Sequence, residues 1–204
     1  MKNNLCGILG AKNPDIEFTK KLMKELKIRG KHSFGIAYQK ENRIECIKQF
    51  ELDVDYLINL FLDSKSSCFI FHTRYSTSGD WRDMDNNQPI VVGNSAIAMN
   101  GVLSMKTKAE YEKDYSVKCN CDNDSEVFLH KDVYEFLKQV PDCSFASVIL
   151  EDNKIYGIRN NKRPLYYYEQ DNSKYIVSTL DTIKRAGGDI KNAEIIPTFT
   201  KVYL

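Results

Sequence analysis

The sequence has no apolar run near the ~20 residues that a membrane-spanning helix needs, and its N-terminus lacks the apolar stretch of a signal peptide. It has almost no net charge: the balance is +1, with Lys and Arg scattered along the chain. That argues against a dedicated nucleic-acid surface or an anionic-membrane patch. There is no internal repeat, no low-complexity segment, no Pro/Gly/Ser-rich linker and no P-loop pattern. These absences point to a cytoplasmic protein with neither a nucleic-acid nor a membrane partner. In that reducing setting the six cysteines (6, 46, 68, 119, 121 and 143) are expected as free thiols. The C-x-C at 119–121 lacks a second close pair. Cys119, Cys121, Cys143 and His130 are therefore a weak metal signal, and neither a metal nor another cofactor is expected.

What is present is ordinary in composition and informative in pattern. Apolar residues at 42% and charged residues at 28% of 204 suit a globular chain able to bury a core without staples. Stretches rich in Ile, Val, Phe and Tyr predict strands over 6–9, 33–38, 43–48, 68–72, 95–99, 144–150, 154–158, 165–168 and 175–178. "EDNK" (151–154) and "EQDNSK" (169–174) read as the turns of two hairpins. Helical spacing of apolar residues predicts a helix in 13–30, with Asn13 as cap and Pro14 in its first turn. A second is expected over 51–63. A third runs from Ser125 to Val140, through Val133, Phe136 and Leu137, and stops at Pro141. Long strand runs with a few amphipathic helices require two packed sheets with helices outside, an α+β arrangement.

Four short stretches exceed what packing needs: "RGKHSFGIA" (29–37), "FIFHTRYSTSG" (69–79), "AIAMNGVLS" (96–104) and "DNDSEV" (122–127). Each has a plain structural reading. Asn-Gly after a strand is commonly a hairpin turn, Asp-Ser-Glu before a helix is commonly a capping box, and an Arg at a strand end is commonly solvated. Taken with Cys6 they supply a thiol, a guanidinium, a carboxylate and an amide beside a glycine. A free amino acid offers a carboxylate for the Arg, an ammonium for the Asp and a side-chain carbonyl for the thiol.

In order along the chain, Cys-Gly-Ile at 6–8, Arg-Gly-x-x-Ser-x-Gly-Ile from 29, His-Thr-Arg-x-x-Thr-x-Gly from 72, Asn-Gly at 100 and Asp-Ser-Glu at 124 resemble the class II glutamine amidotransferase family. "SFASVIL" and "RNNKRPLYYY" extend the resemblance over nearly the whole chain. It implies the four-layer αββα sandwich of N-terminal-nucleophile hydrolases. It also implies that Cys6 attacks the glutamine amide, and that Asn100 and the Gly101 N–H stabilise the oxyanion. Arg74 would hold the α-carboxylate and Asp124 the α-ammonium, while Thr77 and Arg29 order the surroundings. His32 stands where the family usually has Asp, and Gln88, Met99 and Ser78 stand where it has His.

In the family the nucleophile is the first residue, its own α-amine serving as base. Residues 1–5 are therefore expected to be a short propeptide, with the domain occupying 6–204. Met1 is the only methionine before Cys6, so no later start would expose it. With no acceptor domain in the sequence, the expected partner is a separate ammonia-accepting synthetase. Two rival readings are an inactive relative that binds or regulates, and a hydrolase of another γ-glutamyl amide. The segment 76–89, with Gly79 as hinge and the sole tryptophan, Trp81, as anchor, is the expected substrate loop. Trp81 would pack either on the body of the domain or on a partner.

Overall fold

Alternating apolar side chains make strands that must bury both faces, and the chain does this with two antiparallel sheets. The computed structural model describes residues 5–77, 79–103, 105–134, 136 and 143–204. The larger sheet contains β1 (Gly7–Lys12), β2 (Ser33–Lys40), β3 (Arg43–Gln49), β4 (Cys68–Arg74), β9 (Tyr166–Gln170), β10 (Ser173–Val177) and β11 (Ala193–Ile195), in the order β11-β9-β10-β1-β4-β2-β3. The smaller contains β5 (Ile90–Val92), β6 (Ser95–Val102), β7 (Ser144–Glu151), β8 (Lys154–Arg159) and β12 (Val202–Tyr203), in the order β12-β8-β7-β6-β5. All nine expected strands are present. The short β5, β11 and β12 were not foreseen, because three residues or fewer carry no readable period.

The period-2 alternation sorts side chains into layers. Ile8, Ile70, Ala98 and Val148 meet between the sheets. Leu9, Phe69 and Phe71 face the other way, onto α1 (Ile16–Leu26), α2 (Val54–Asp63) and a later helix, α5 (Leu180–Arg185). On the opposite side Met99, Phe145 and Ile149 pack against α3 (Lys108–Tyr115), α4 (Val127–His130) and Phe136. The result is the α-β-β-α sandwich that the family resemblance implies.

Three local expectations change. Asp15, not Asn13, caps α1 by accepting from the Phe18 N–H at 2.7 Å; Asn13 sits at φ 48° and turns the chain into the cap. The third helix is broken. A 3-10 turn (Asp124–Glu126) leads into α4, and Lys131 then takes an extended conformation before Val133 and Phe136 pack into the core. The rest of that expected helix (Leu137, Val140 and its stop at Pro141), Ser78 and residues 1–4 lie outside the described residues. Asn100-Gly101 is no hairpin turn: β6 runs through it, pairing with Ala146 and Phe145 of β7. The hairpin at 151–154 is as expected, with Asp152 and Asn153 both at positive φ. All six cysteines are free. Among the described residues no helix is long and apolar enough to cross a membrane.

One polar contact joins the sheets near the site. The buried His72 of β4 donates from Nε2 to the Met99 carbonyl of β6 at 3.1 Å, and Nδ1 has no partner among the described residues. Burial pushes the imidazole pKa down to about 3, against ~6.5 in an unfolded chain. The neutral ring therefore contributes stability above about pH 6.5 that is lost as pH falls toward 3, with a slope of up to about 1.4 kcal/mol per pH unit. Urea unfolding at successive pH values from neutrality downward is expected to show this slope, and His72→Gln, which keeps a donor but does not titrate, is expected to flatten it. An unchanged slope in the variant would place the acid lability elsewhere.

Candidate active site

Strand register brings the separate motifs together. β1 pairs with β4 so that Gly7 lies opposite Thr73, and β2 sets Ser33 opposite Arg74. The approach is close. The Gly7 N–H donates to Thr73 Oγ1 at 3.1 Å, and that hydroxyl donates to Leu26 O at the end of α1, 3.0 Å away. A Cβ on Gly7 would stand 2.6 Å from Thr73 Oγ1, and one on Gly30 only 2.4 Å from Thr73 O. A larger residue at Gly7 would have to displace the Thr73 and Leu26 side chains, and one at Gly30 the backbone of β4. Cys6 is thereby set beside the end of β4. The Tyr75 N–H points at its Sγ (3.4 Å), and the Arg29 Nε–H donates to its carbonyl (3.0 Å). Burial raises the Cys6 thiol pKa, while the Tyr75 backbone and the Arg74 and Arg29 guanidiniums pull it down.

Cys6, Arg74, Thr77, Gly101 and Asp124 line one pocket, together with Tyr75, Gln88, Met99 and Asn123. Its free volume is about 10 Å³, room for roughly one water. Arg74, 2% exposed, is the largest of the fully buried side chains. Its Nη1 donates to Asn86 O and to Asn87 Oδ1 (2.7 Å), and its Nη2 to Ser76 Oγ (3.2 Å) and Gly79 O (3.0 Å). The 76–87 loop is thus wrapped around the guanidinium. Asn86 ties it to the opposite wall: its carbonyl also accepts from Asn123 Nδ2 (2.8 Å), and its Oδ1 accepts from the Asp122 N–H (2.7 Å). Asp124 accepts from the Leu103 N–H at 2.7 Å, while Asn123 caps the following turn.

Asn100 and Gly101 stand on the facing sheet. Asn100 is 1% exposed, and its Nδ2 has no hydrogen-bond partner among the described residues. A Cβ on Gly101 would fall 1.9 Å from Ser144 O and 2.7 Å from Phe145 Cα, so β7 passes too close for any side chain. Gln88 and Met99 are joined, Gln88 Oε1 accepting the Met99 N–H at 2.5 Å. His32 accepts the Ser76 N–H at Nδ1 (3.0 Å) and is stacked between Tyr75 and Trp81, with centroids 5.0 and 5.1 Å away. Trp81 also meets Phe50 edge-on. Of its two expected positions Trp81 therefore takes the body of the domain. Gly79 takes φ +68°, in the left-handed region that favours glycine.

The sequence profile of the glutamine amidotransferase domain family matches residues 72–185, more than half of the chain and the part that holds most of this pocket. The chain belongs to that family. Among curated proteins the domain is similar to the glutamine–fructose-6-phosphate aminotransferase (isomerizing) of Wigglesworthia glossinidia brevipalpis, with 31% identity over 134 residues, 62% of this chain and 22% of that protein. It is also similar to the protein of the same name from Sulfurisphaera tokodaii, with 27% identity over 181 residues, 82% of this chain and 31% of that one. It thus spans less than a third of these relatives' length.

Among solved structures the domain matches the glutamine phosphoribosylpyrophosphate amidotransferase of B. subtilis with a TM-score of 0.68 and 19% identity, over 94% of this chain and 44% of that one. A glutamine aminotransferase class-II domain protein of Silicibacter pomeroyi matches with a TM-score of 0.56 and 12% identity, over 97% and 94%. These two likenesses establish a common fold, the layered two-sheet sandwich described above.

Every site residue expected from sequence except Asn100 and Arg29 lines the pocket. Asn100 adjoins it through Gly101, and Arg29 reaches it through the Cys6 carbonyl. Sequence reasoning missed Asn86, Asn87 and Tyr75; the only hint was the Asx-rich run "DMDNN". Two outcomes follow from this packing. Gly101→Ala is expected to unfold the domain or lower its stability by about 3 kcal/mol or more, since backbone must move; a melting temperature near wild type would contradict the strand spacing. Trp81→Ala is expected to keep the fold but to loosen the 76–87 loop, read as faster proteolytic cleavage there; unchanged cleavage would show that the His32 stack does not hold the loop.

Proposed function

We propose that this domain hydrolyses glutamine to glutamate and ammonia, with Cys6 as nucleophile. The observation that carries the reading is the Asn100 Nδ2: a buried amide donor without a partner among the described residues, beside a glycine that lines the same pocket as a thiol. An unmet buried donor costs roughly 1–3 kcal/mol, a cost offset when an oxyanion arrives to accept from it. Family membership supports the same chemistry.

In this reading Cys6 is the first residue of the mature domain, residues 1–5 having been removed as a propeptide, and its α-amine takes the thiol proton. The thiolate attacks the glutamine γ-carbonyl, and Asn100 Nδ2 with the Gly101 N–H donate to the tetrahedral oxyanion. The protonated amine returns its proton to the leaving nitrogen, so the C–N bond breaks to give ammonia and a γ-glutamyl thioester. Water, deprotonated by the same amine, then releases glutamate and restores the thiol.

Arg74 takes the α-carboxylate in a bidentate grip, Asp124 the α-ammonium, and Thr77 the edge of the ligand. Because Ser76 Oγ and Gly79 O occupy the Arg74 Nη2, substrate must displace them, and the loop opens on the Gly79 hinge to admit it. Arg29 fixes the Cys6 backbone during both steps. The ammonia passes to a separate acceptor synthetase, and six free thiols suit work in the reducing cytoplasm.

Steady-state kinetics on chain processed to Cys6 test the roles. Cys6→Ser is expected to abolish turnover, because an alkoxide is far harder to form than a thiolate. Asn100→Ala is expected to lower kcat by about 100-fold or more, since its partner oxygen is charged only in the transition state. Arg74→Ala and Asp124→Ala are expected to act chiefly on KM, through parts of glutamine whose charge does not change. Robust activity with an intact mass that still includes residues 1–5 would refute the amine base. Glutamine binding without turnover in the processed chain would identify a regulatory relative, and preference for larger γ-glutamyl amides would identify a different substrate.

A further inference from the structure

Away from the Cys6 pocket, four electron-rich side chains converge on the loop that carries Asp124. Cys119, Glu126 and His130 each offer a ligand atom, and these atoms lie within 4.8 Å of one another. Glu126 and His130 are four residues apart, which places them on one helical face, with Nε2 3.2 Å from Oε1. Cys121 reaches the same carboxylate from its other side, its Sγ standing 3.1 Å from Oε2. Cys119, Cys121 and Glu126 are buried, and His130 is half-buried. The only ion-pair partner of Glu126 among the described residues is His130, itself one of the four.

We propose that Cys119, Glu126 and His130, with Cys121 closing the fourth position, bind a divalent transition metal of the zinc class. The donor set fits: two thiols, an imidazole and a carboxylate are ligands that zinc accepts in a tetrahedral site. The geometry is within reach: donors around a tetrahedral zinc lie about 3.5 Å apart, and the Cys119, Glu126 and His130 donor atoms, all within 4.8 Å of one another, need only a short closure. Cys121 Sγ must in addition turn around the carboxylate from Oε2 to reach the same ion. Access exists on both sides. A groove of about 490 Å³ is lined by Cys121 and Glu126, and a second cavity of about 280 Å³ by His130.

On binding, each thiol gives its proton to solvent, and the imidazole carries its proton on Nδ1 so that Nε2 is free to ligate. Glu126 turns Oε1 from His130 to the metal, while Oε2 keeps the Cys121 N–H, which donates to it at 2.9 Å. The carboxylate already holds the loop through the Asn120 and Cys121 N–H groups. The metal would therefore staple residues 119–121 to α4. It would fix the intervening Asp122–Asp124 segment, which bonds Asn86 and forms one wall of the Cys6 pocket. The sequence offered Cys119, Cys121 and His130 as a weak metal signal with Cys143; it missed Glu126, which reads as part of a helix cap.

The test is independent of glutaminase activity. The full-length chain, stripped with chelator and dialysed against zinc, is expected to retain one zinc per chain by elemental analysis and to melt at a higher temperature than the stripped form. Cys119→Ala and His130→Gln are each expected to weaken zinc binding by about 100-fold or more, a larger loss than outer contacts give, whereas Cys143→Ala is expected to retain it. Absence of stoichiometric zinc, or zinc retained unchanged in both ligand variants, would overturn the proposal. Should the variants fail to fold, cobalt(II) added to the stripped wild-type chain decides. Thiolate-to-cobalt charge transfer with tetrahedral d–d bands supports the site, and an octahedral spectrum without charge transfer refutes it.

Discussion

The pairing of β1 with β4 is the constraint on which the rest of the site depends. It sets Gly7 against Thr73 with no room for a side chain on either Gly7 or Gly30. That contact draws the end of α1, the end of β4 and the start of β1 into one corner. Cys6 then needs only the Tyr75 N–H and the Arg29 side chain to be held in place. The facing strand is fixed in the same way, by a glycine at 101 that lets β7 pass. The Cys6 thiol and the Asn100 amide are placed by backbone proximity within two sheets, a more rigid support than loops provide.

The Arg74 side of the pocket is built on a different principle. Arg74 is a buried cation whose N–H groups are taken up by the carbonyls and polar side chains of one loop. Asn86 then carries the loop's hydrogen bonds across to Asp122 and Asn123. Such a network is stable while every donor is met, and each of those partners is exchangeable for a ligand oxygen of similar geometry. A guanidinium can therefore serve two states, organising the loop in one and gripping a carboxylate in the other. In the proposed reading the pocket of about 10 Å³ belongs to the first.

Three departures from the family pattern, His32, Gln88 and Met99, fall in places where the fold supplies substitutes. Gln88 and Met99 close on each other through a side-chain-to-backbone bond. His32, in place of an acid, stacks between Tyr75 and Trp81 and accepts the Ser76 N–H. Burial and the nearby Arg74 lower its pKa, so the ring is kept neutral and able to accept. Each of these three replacements secures the loop or the strand end and leaves the thiol, guanidinium, carboxylate and amide set intact.

Strand periodicity, the two hairpin turns and the ordered motifs were legible in the sequence because each is local: a period of two, a pair of turn residues, a glycine beside a functional side chain. From these came the layered α+β class, the family and most of the pocket's lining. The sequence could not show that Asp15 displaces Asn13 as cap, or that the helix after Asp124 breaks at Lys131, since both depend on where the chain must turn to reach a neighbour. Nor could it show that Asn100-Gly101 lies inside a strand, because only the proximity of Ser144 and Phe145 makes that glycine necessary. Tertiary structure alone decided that Trp81 rests on His32 and that Arg74 is enclosed by its own loop. It alone brought the Cys119 thiol to the Glu126–His130 pair, because convergence of side chains from separate turns is a property of packing that spacing along the chain does not fix.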